Sequence, residues 1–155
     1  MHSQSGALMF HVWSRSDSLH GNRELTIVID SDPLFRHFAM RALRRLGRPV
    51  VGLRDAEDAL AWLEANRAPA LITLDASLPR MDGFSLCQKI REHPRSSAVP
   101  IVCVSSLIEV DDHVRALKAG ADVFLAKPVR PDLYLDSATR LLRLGRQEQP
   151  QERRM

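Results

Sequence analysis

Apolar residues fall into two alternating patterns along the chain. Short continuous runs stand at 25–30, 49–53, 70–75, 100–105 and 122–126. They are rich in Leu, Ile and Val, too short for helices, and predict strands. Longer segments at 33–46, 56–66, 82–93, 111–119 and 131–144 repeat apolar residues near helical spacing and predict helices. In the first helix Leu34, Phe38, Leu43 and Leu46 form the inward stripe, with Arg36, Arg41, Arg44 and Arg45 outward. Ala59, Leu60 and Leu63 face inward in the second, and Phe84, Leu86, Cys87 and Ile90 are the apolar set of the third. Leu133, Leu135, Leu141, Leu142 and Leu144 mark the fifth. Punctuation agrees with this reading. Asp32 before Pro33 suits an N-cap followed by a first-turn proline, and Asp55 and Asp82 suit N-caps. Gly47 and Gly120 close helices, and Pro94 ends one.

Strand runs that are apolar throughout, rather than alternating, are covered on both faces. Five strand–helix units in sequence therefore predict an α/β protein: a doubly wound parallel sheet with right-handed crossovers. The flavodoxin-like (βα)5 order 2-1-3-4-5 sets strands one and three side by side, with ligands expected at the strand C-termini.

The chain has 155 residues, 45% hydrophobic and only 5% aromatic, which predicts one domain with an aliphatic core. A net charge of +3 is too small to argue for nucleic acid. Cys87 and Cys103 lack metal-ligand spacing and read as buried free thiols of a reducing compartment. Nothing reaches the length of a membrane-spanning helix, and the apolar island Ala7–Trp13 lacks the basic lead of a signal peptide. A cytoplasmic location is expected. Residues 1–23 read as a loosely ordered extension, or as one whose Leu8, Phe10, Val12 and Trp13 dock on the domain or a partner. Residues 24–145 form the domain and 146–155 a polar tail.

The strand ends carry the chemistry. Strand one ends at Asp30, strand three at Asp75, strand four at Ser105, and strand five runs into Lys127-Pro128. A carboxylate at the tip of a buried strand is costly unless something uses it. Two acids, a hydroxyl and a lysine at successive strand ends are the parts of a phosphoryl-accepting carboxylate site. A flavin or phosphatase enzyme on the same fold would need a glycine-rich phosphate loop after strand one, where Asp30-Ser31-Asp32-Pro33 stands instead.

In order along the chain, Val28-Ile29-Asp30, Leu74-Asp75, Leu78-Pro79-Arg80-Met81-Asp82-Gly83, Val104-Ser105-Ser106, Lys118-Ala119-Gly120-Ala121-Asp122 and Lys127-Pro128 resemble the receiver domains of two-component response regulators. The resemblance covers Leu25 to Leu144. It implies that Asp75 accepts a phosphoryl group from a histidine kinase or phosphotransfer protein. Mg²⁺ would be held by Asp30, Asp75 and the backbone carbonyl of Ser77, with Asp32 or Ser31 through water as further candidates. Lys127 would pair with a phosphoryl oxygen, in a Lys-Pro bond often cis in the family, and Ser105 would donate to another oxygen. Phe124 fits either the family's aromatic switch, moving with Ser105, or plain core packing. Asp82 and Gly83 read as cap and tight turn. One departure stands out: the family usually has two adjacent acids at the end of strand one, and here the pair is Asp30-Ser31, which should weaken Mg²⁺ binding.

The resemblance implies a signalling module rather than an enzyme. It would be a stand-alone receiver that signals to a protein partner through helix four, strand five and helix five. No direct contact with nucleic acid or membrane is expected; the Arg140, Arg143, Arg146 row reads as a solvated helix face. The rival expectation is a phosphorylation-independent interaction module with a weakened Mg²⁺ site.

Overall fold

The computed structural model describes residues 25–107 and 109–145. The expected extension over 1–23, including its apolar island, and the tail over 146–155 with Arg146 lie outside the described residues. Strands β1 (Thr26–Ile29), β2 (Val50–Leu53), β3 (Leu71–Asp75), β4 (Ile101–Ser105) and β5 (Val123–Ala126) alternate with helices α1 (Pro33–Arg44), α2 (Ala56–Ala65), α3 (Gly83–Glu92), α4 (Val110–Ala119) and α5 (Pro131–Leu144). The sheet is parallel throughout, in the order β2-β1-β3-β4-β5. This is the flavodoxin-like topology expected from the pattern.

Side chains alternate between the two faces of each strand, and each face has its own core. Ile27, Ile29, Ile72, Leu74, Ile101 and Cys103 meet the inward residues of α2, α3 and α4. Val28, Leu71, Val102, Val104 and Leu125 meet α1 and α5 through Ala39, Leu43, Tyr134, Ala138 and Leu141. Each fully buried Val, Leu or Ile contributes about 1.5–3 kcal/mol, so the three central strands are held from both sides.

The helix caps follow the sequence. Asp32, Asp55 and Asp82 accept backbone N–H bonds from Leu34, Asp58 and Ser85, satisfying donors that a helix start leaves free. Gly120 ends α4 at φ +110°, a conformation that favours glycine. Arg91 of α3 then bonds the Gly120 carbonyl at 2.9 Å and the Asp122 carboxylate at 3.0 Å, and Asp122 also accepts from the Ile101 amide. This staple fixes the approach to β5.

Several expectations need correction. Leu34 is 81% exposed, because α1 turns Phe35, Ala39 and Leu43 inward instead. Arg36 is not outward: it is half-buried and donates to the Asp30 carbonyl at 2.7 Å. Leu133 and Leu144 are exposed, since α5 buries Tyr134, Ala138 and Leu141. Nor is the core purely aliphatic. Trp62 and Tyr134 are buried, and the Tyr134 hydroxyl bonds Thr73 Oγ1 at 2.8 Å. Helix α1 stops at Arg44, before the turn that Gly47 completes.

Candidate functional site

Topology assembles the site. Ile29 is in register with Leu74, Asp75 with Val104, and Ser105 with Ala126. The residues that follow or end these strands therefore line up along one edge of the sheet: Asp30, Asp75, Ser105 and, after β5, Lys127.

Asp30 and Asp75 are buried, and Lys127 bridges them. Its Nζ donates to Asp30 Oδ2 at 2.8 Å and to Asp75 Oδ2 at 3.3 Å. Each acid is also oriented by a backbone N–H two residues on, Asp32 to Asp30 Oδ1 and Ser77 to Asp75 Oδ1, both at 2.9 Å. Burial pushes the Asp30 carboxyl above its ordinary value, and the bonds from Lys127 and the Asp32 amide only partly offset this. Burial also disfavours the Lys127 ammonium, but Asp30 and Asp75 outweigh it and hold Lys127 above its ordinary value.

Ser105 is fully buried. Its hydroxyl accepts from the Leu107 amide at 3.0 Å, and its carbonyl accepts from the Lys127 amide at 2.8 Å, tying β4 to the lysine. The Lys127-Pro128 peptide is cis, as the resemblance implied. Phe124 is half-buried on β5, with its ring 5.1 Å from that of His113 on α4. Ser31, Asp32 and Ser77 are exposed.

Gly83 does more than make a turn. A Cβ there would collide with the Asp75 carbonyl oxygen and come within 2.7 Å of Ala76 Cα. The start of α3 can therefore lie directly on the end of β3. Beside it Arg80, at φ +64°, reaches Asp55 at 2.9 Å and Glu57 at 3.2 Å, tying the β3–α3 loop to α2.

Sequence reading missed three residues around the site. Arg36 bonds the Asp30 carbonyl, and the Phe35 ring lies 4.2 Å from Lys127 Nζ. Tyr134 bonds Thr73, two residues before Asp75. Choosing the α1 phase through Phe35, Ala39 and Leu43 would have pointed to Phe35.

The donor set is hard oxygen: two buried carboxylates on one edge, with the Ser77 carbonyl beside them in sequence. That chemistry fits Mg²⁺, which takes one or two carboxylates and keeps several waters. Among the described residues no group of three or more His, Cys, Asp or Glu side chains is arranged to hold a metal. The other candidates differ in availability, since the Asp32 carboxylate already caps α1.

Two buried acids at the switch point of a doubly wound parallel sheet, bridged by a lysine from the end of β5, define an acidic-pocket α/β domain. Comparison with known proteins makes the assignment specific. Residues 26–139 match the family model described as the response regulator receiver domain, and the chain belongs to that family. It is 32% identical over 117 residues to the DNA-binding dual master transcriptional regulator RpaA of Synechocystis, covering 76% of this chain and 48% of that protein. The signal receiver domain of a signal transduction histidine kinase from Syntrophus aciditrophicus matches with TM-score 0.72 and 28% identity, over 81% of this chain and 95% of that one. A two-component response regulator from Clostridium difficile matches with TM-score 0.71 and 27% identity, over 77% and 96%. The chain spans about half the length of the first curated relatives it matches. Among the described residues no helix is long and apolar enough to cross a membrane.

Proposed function

We propose that this domain accepts a phosphoryl group on Asp75 from the phosphohistidine of a kinase or phosphotransfer protein. The observation that carries the reading is the Lys127 bridge between two buried acids at the sheet's switch point. An Asp75 carboxylate oxygen attacks phosphorus, the P–N bond breaks as the P–O bond forms, and the imidazole leaves with the electron pair. Such transfer is mostly positioning and charge neutralisation. Ser77 N–H orients the nucleophile, the Lys127 ammonium meets one phosphoryl oxygen, and the Ser105 hydroxyl leaves Leu107 to donate to another. Asp30, Asp75 and the Ser77 carbonyl would hold Mg²⁺, which when bound neutralises charge on the phosphoryl oxygens.

Output follows from Ser105. Its movement draws on the β4–α4 loop, where Leu107 is exposed, and on Phe124, and so alters the surface of α4, β5 and α5, where Val110 and Val114 are exposed. Exposed apolar residues on that face suit a protein partner. This makes the domain a signalling module rather than an enzyme, acting in the cytoplasm.

A second reading is favoured by one observation. Lys127 already pairs with both acids, so the pocket is partly charge-compensated without metal, and Ser31 supplies no further carboxylate. On that reading the fold binds its partner independently of phosphate. Labelling with a small phosphodonor separates the two. Wild type should take up acid-labile, hydroxylamine-sensitive phosphate and Asp75→Asn should not; equal labelling of both, or of neither, contradicts the phosphoacceptor reading.

A further inference from the structure

Lys127 has a neighbour besides the two carboxylates. Its ammonium lies 4.2 Å from the centroid of the Phe35 ring, in the first turn of α1. A cation over an aromatic face is attracted by the ring's quadrupole, most strongly where water is excluded.

Phe35 is itself held from several sides. Asp32 caps α1, and Arg36, the next residue, ties the helix to the Asp30 carbonyl at 2.7 Å. The ring packs 5.5 Å from Phe38 and edge-on at 6.3 Å from Tyr134. Tyr134 is in turn anchored to Thr73 on β3. An aromatic cluster from α1 and α5 thus lies under the lysine, supported by the same strand that ends in Asp75.

We propose that Phe35 is a positioning residue for Lys127, a π-face that fixes the ammonium between Asp30 and Asp75, where it meets the incoming phosphoryl group. The role rests on the reading of Asp75 as phosphoacceptor. A lysine side chain has a flexible four-carbon stem and three rotatable donors, so the two carboxylates by themselves leave its ammonium several ways to approach them. The carboxylates draw the ammonium inward, and the ring limits where it can sit. When a phosphoryl group arrives, Lys127 need not be recruited from water.

The test compares Phe35→Leu and Phe35→Met, which keep an apolar side chain but lose the π-face, with Phe35→Tyr, which keeps it. Beryllofluoride affinity at saturating Mg²⁺ and the rate of labelling by a small phosphodonor are measured, alongside the NMR signals of the Lys127 side chain. Leu and Met should weaken beryllofluoride binding and slow labelling by roughly three- to tenfold, the size expected for loss of a partly desolvated cation–π contact. Tyr should remain close to wild type. The Lys127 ε-methylene protons should be shifted upfield by the ring in wild type and Tyr, and return to ordinary positions in Leu and Met. A folded Leu or Met variant with wild-type affinity, rate and Lys127 signals would overturn the positioning role alone. A wild type that takes up neither beryllofluoride nor phosphate would defeat the phosphoacceptor reading and the role with it, even with the upfield signals intact.

Discussion

Lys127 divides its ammonium unequally between two acids, 2.8 Å from Asp30 and 3.3 Å from Asp75. The shorter bond goes to the acid read as a metal ligand, and the longer to the proposed nucleophile. Even with the closer contact Asp30 stays a reluctant anion, because burial outweighs the lysine. The buried Asp30 carboxylate therefore carries an electrostatic cost in the folded domain.

Asp30→Asn removes that cost. At neutral pH without Mg²⁺ the variant should be more stable than wild type by about 0.5–2 kcal/mol, the usual size of a gain at a destabilised functional position. It should also lose Mg²⁺ affinity. Urea denaturation with and without Mg²⁺ checks both, and a destabilised variant would mean that the Lys127–Asp30 pair is a net source of stability.

The same pair fixes a pH dependence. With its folded pKa above 3.8, Asp30 makes the native state bind more protons than the unfolded chain between 3.8 and that raised value. Its contribution therefore falls as pH rises through this window, so the advantage of Asp30→Asn should shrink on acidification. Lys127 acts at the other end. Raised above 10.5, it contributes stability that is complete below 10.5 and lost as pH climbs through its folded value. Denaturation midpoints of wild type and Asp30→Asn across acid and alkaline pH test the signs; a gap that widens in acid would contradict the first.

Ser31→Asp restores the acid pair usual in the family. It should tighten Mg²⁺ by about 1–2 kcal/mol, roughly five- to thirtyfold, since desolvation and repulsion by Asp30 and Asp75 offset much of the added attraction. Metal-free stability should drop. Calorimetric titration of both proteins decides it, and equal affinities would mean that Asp32 or another group already serves the metal.

Tyr134→Phe should cost about 1–2 kcal/mol by leaving the buried Thr73 hydroxyl unpaired, while Thr73→Val with Tyr134→Phe should recover much of the loss. A double-mutant cycle in urea measures the coupling, and additive losses would show that the hydroxyl pair contributes little.

Most of the fold was legible because each strand is a short apolar run and three helix starts carry an aspartate cap, Asp32, Asp55 and Asp82. Asp30, Asp75, Ser105 and Lys127 were legible too, because a polar residue at the tip of a buried strand stands out. What failed was helical phase. In α1, Leu34 and Phe35 are adjacent apolar residues, and only packing against α5 and Lys127 decides which turns inward. Tyr134 was passed over among the leucines of α5 because its hydroxyl partner is 61 residues away in sequence. Arg36 was assigned to solvent by charge, although a guanidinium can bury its stem and still satisfy a backbone carbonyl.

The proposed switch has a spectroscopic signature. Beryllofluoride should shift backbone amide signals near Ser105, Phe124 and α4 more than those along the rest of α1, because Ser105 and Lys127 gain oxygen contacts in only one state. Shifts confined to the neighbours of Asp75 would count against signal transmission through α4, β5 and α5.

On the proposed reading the phosphoryl group sits on one carboxylate, that of Asp75. Phosphorylated protein treated with borohydride has its acyl phosphate reduced to an alcohol, which converts the modified aspartate to homoserine. Peptide mass mapping should find homoserine at position 75 alone, with Asp30 and Asp32 unmodified. Homoserine at position 30 or 32, or none in protein that carries label, would contradict the assignment of Asp75.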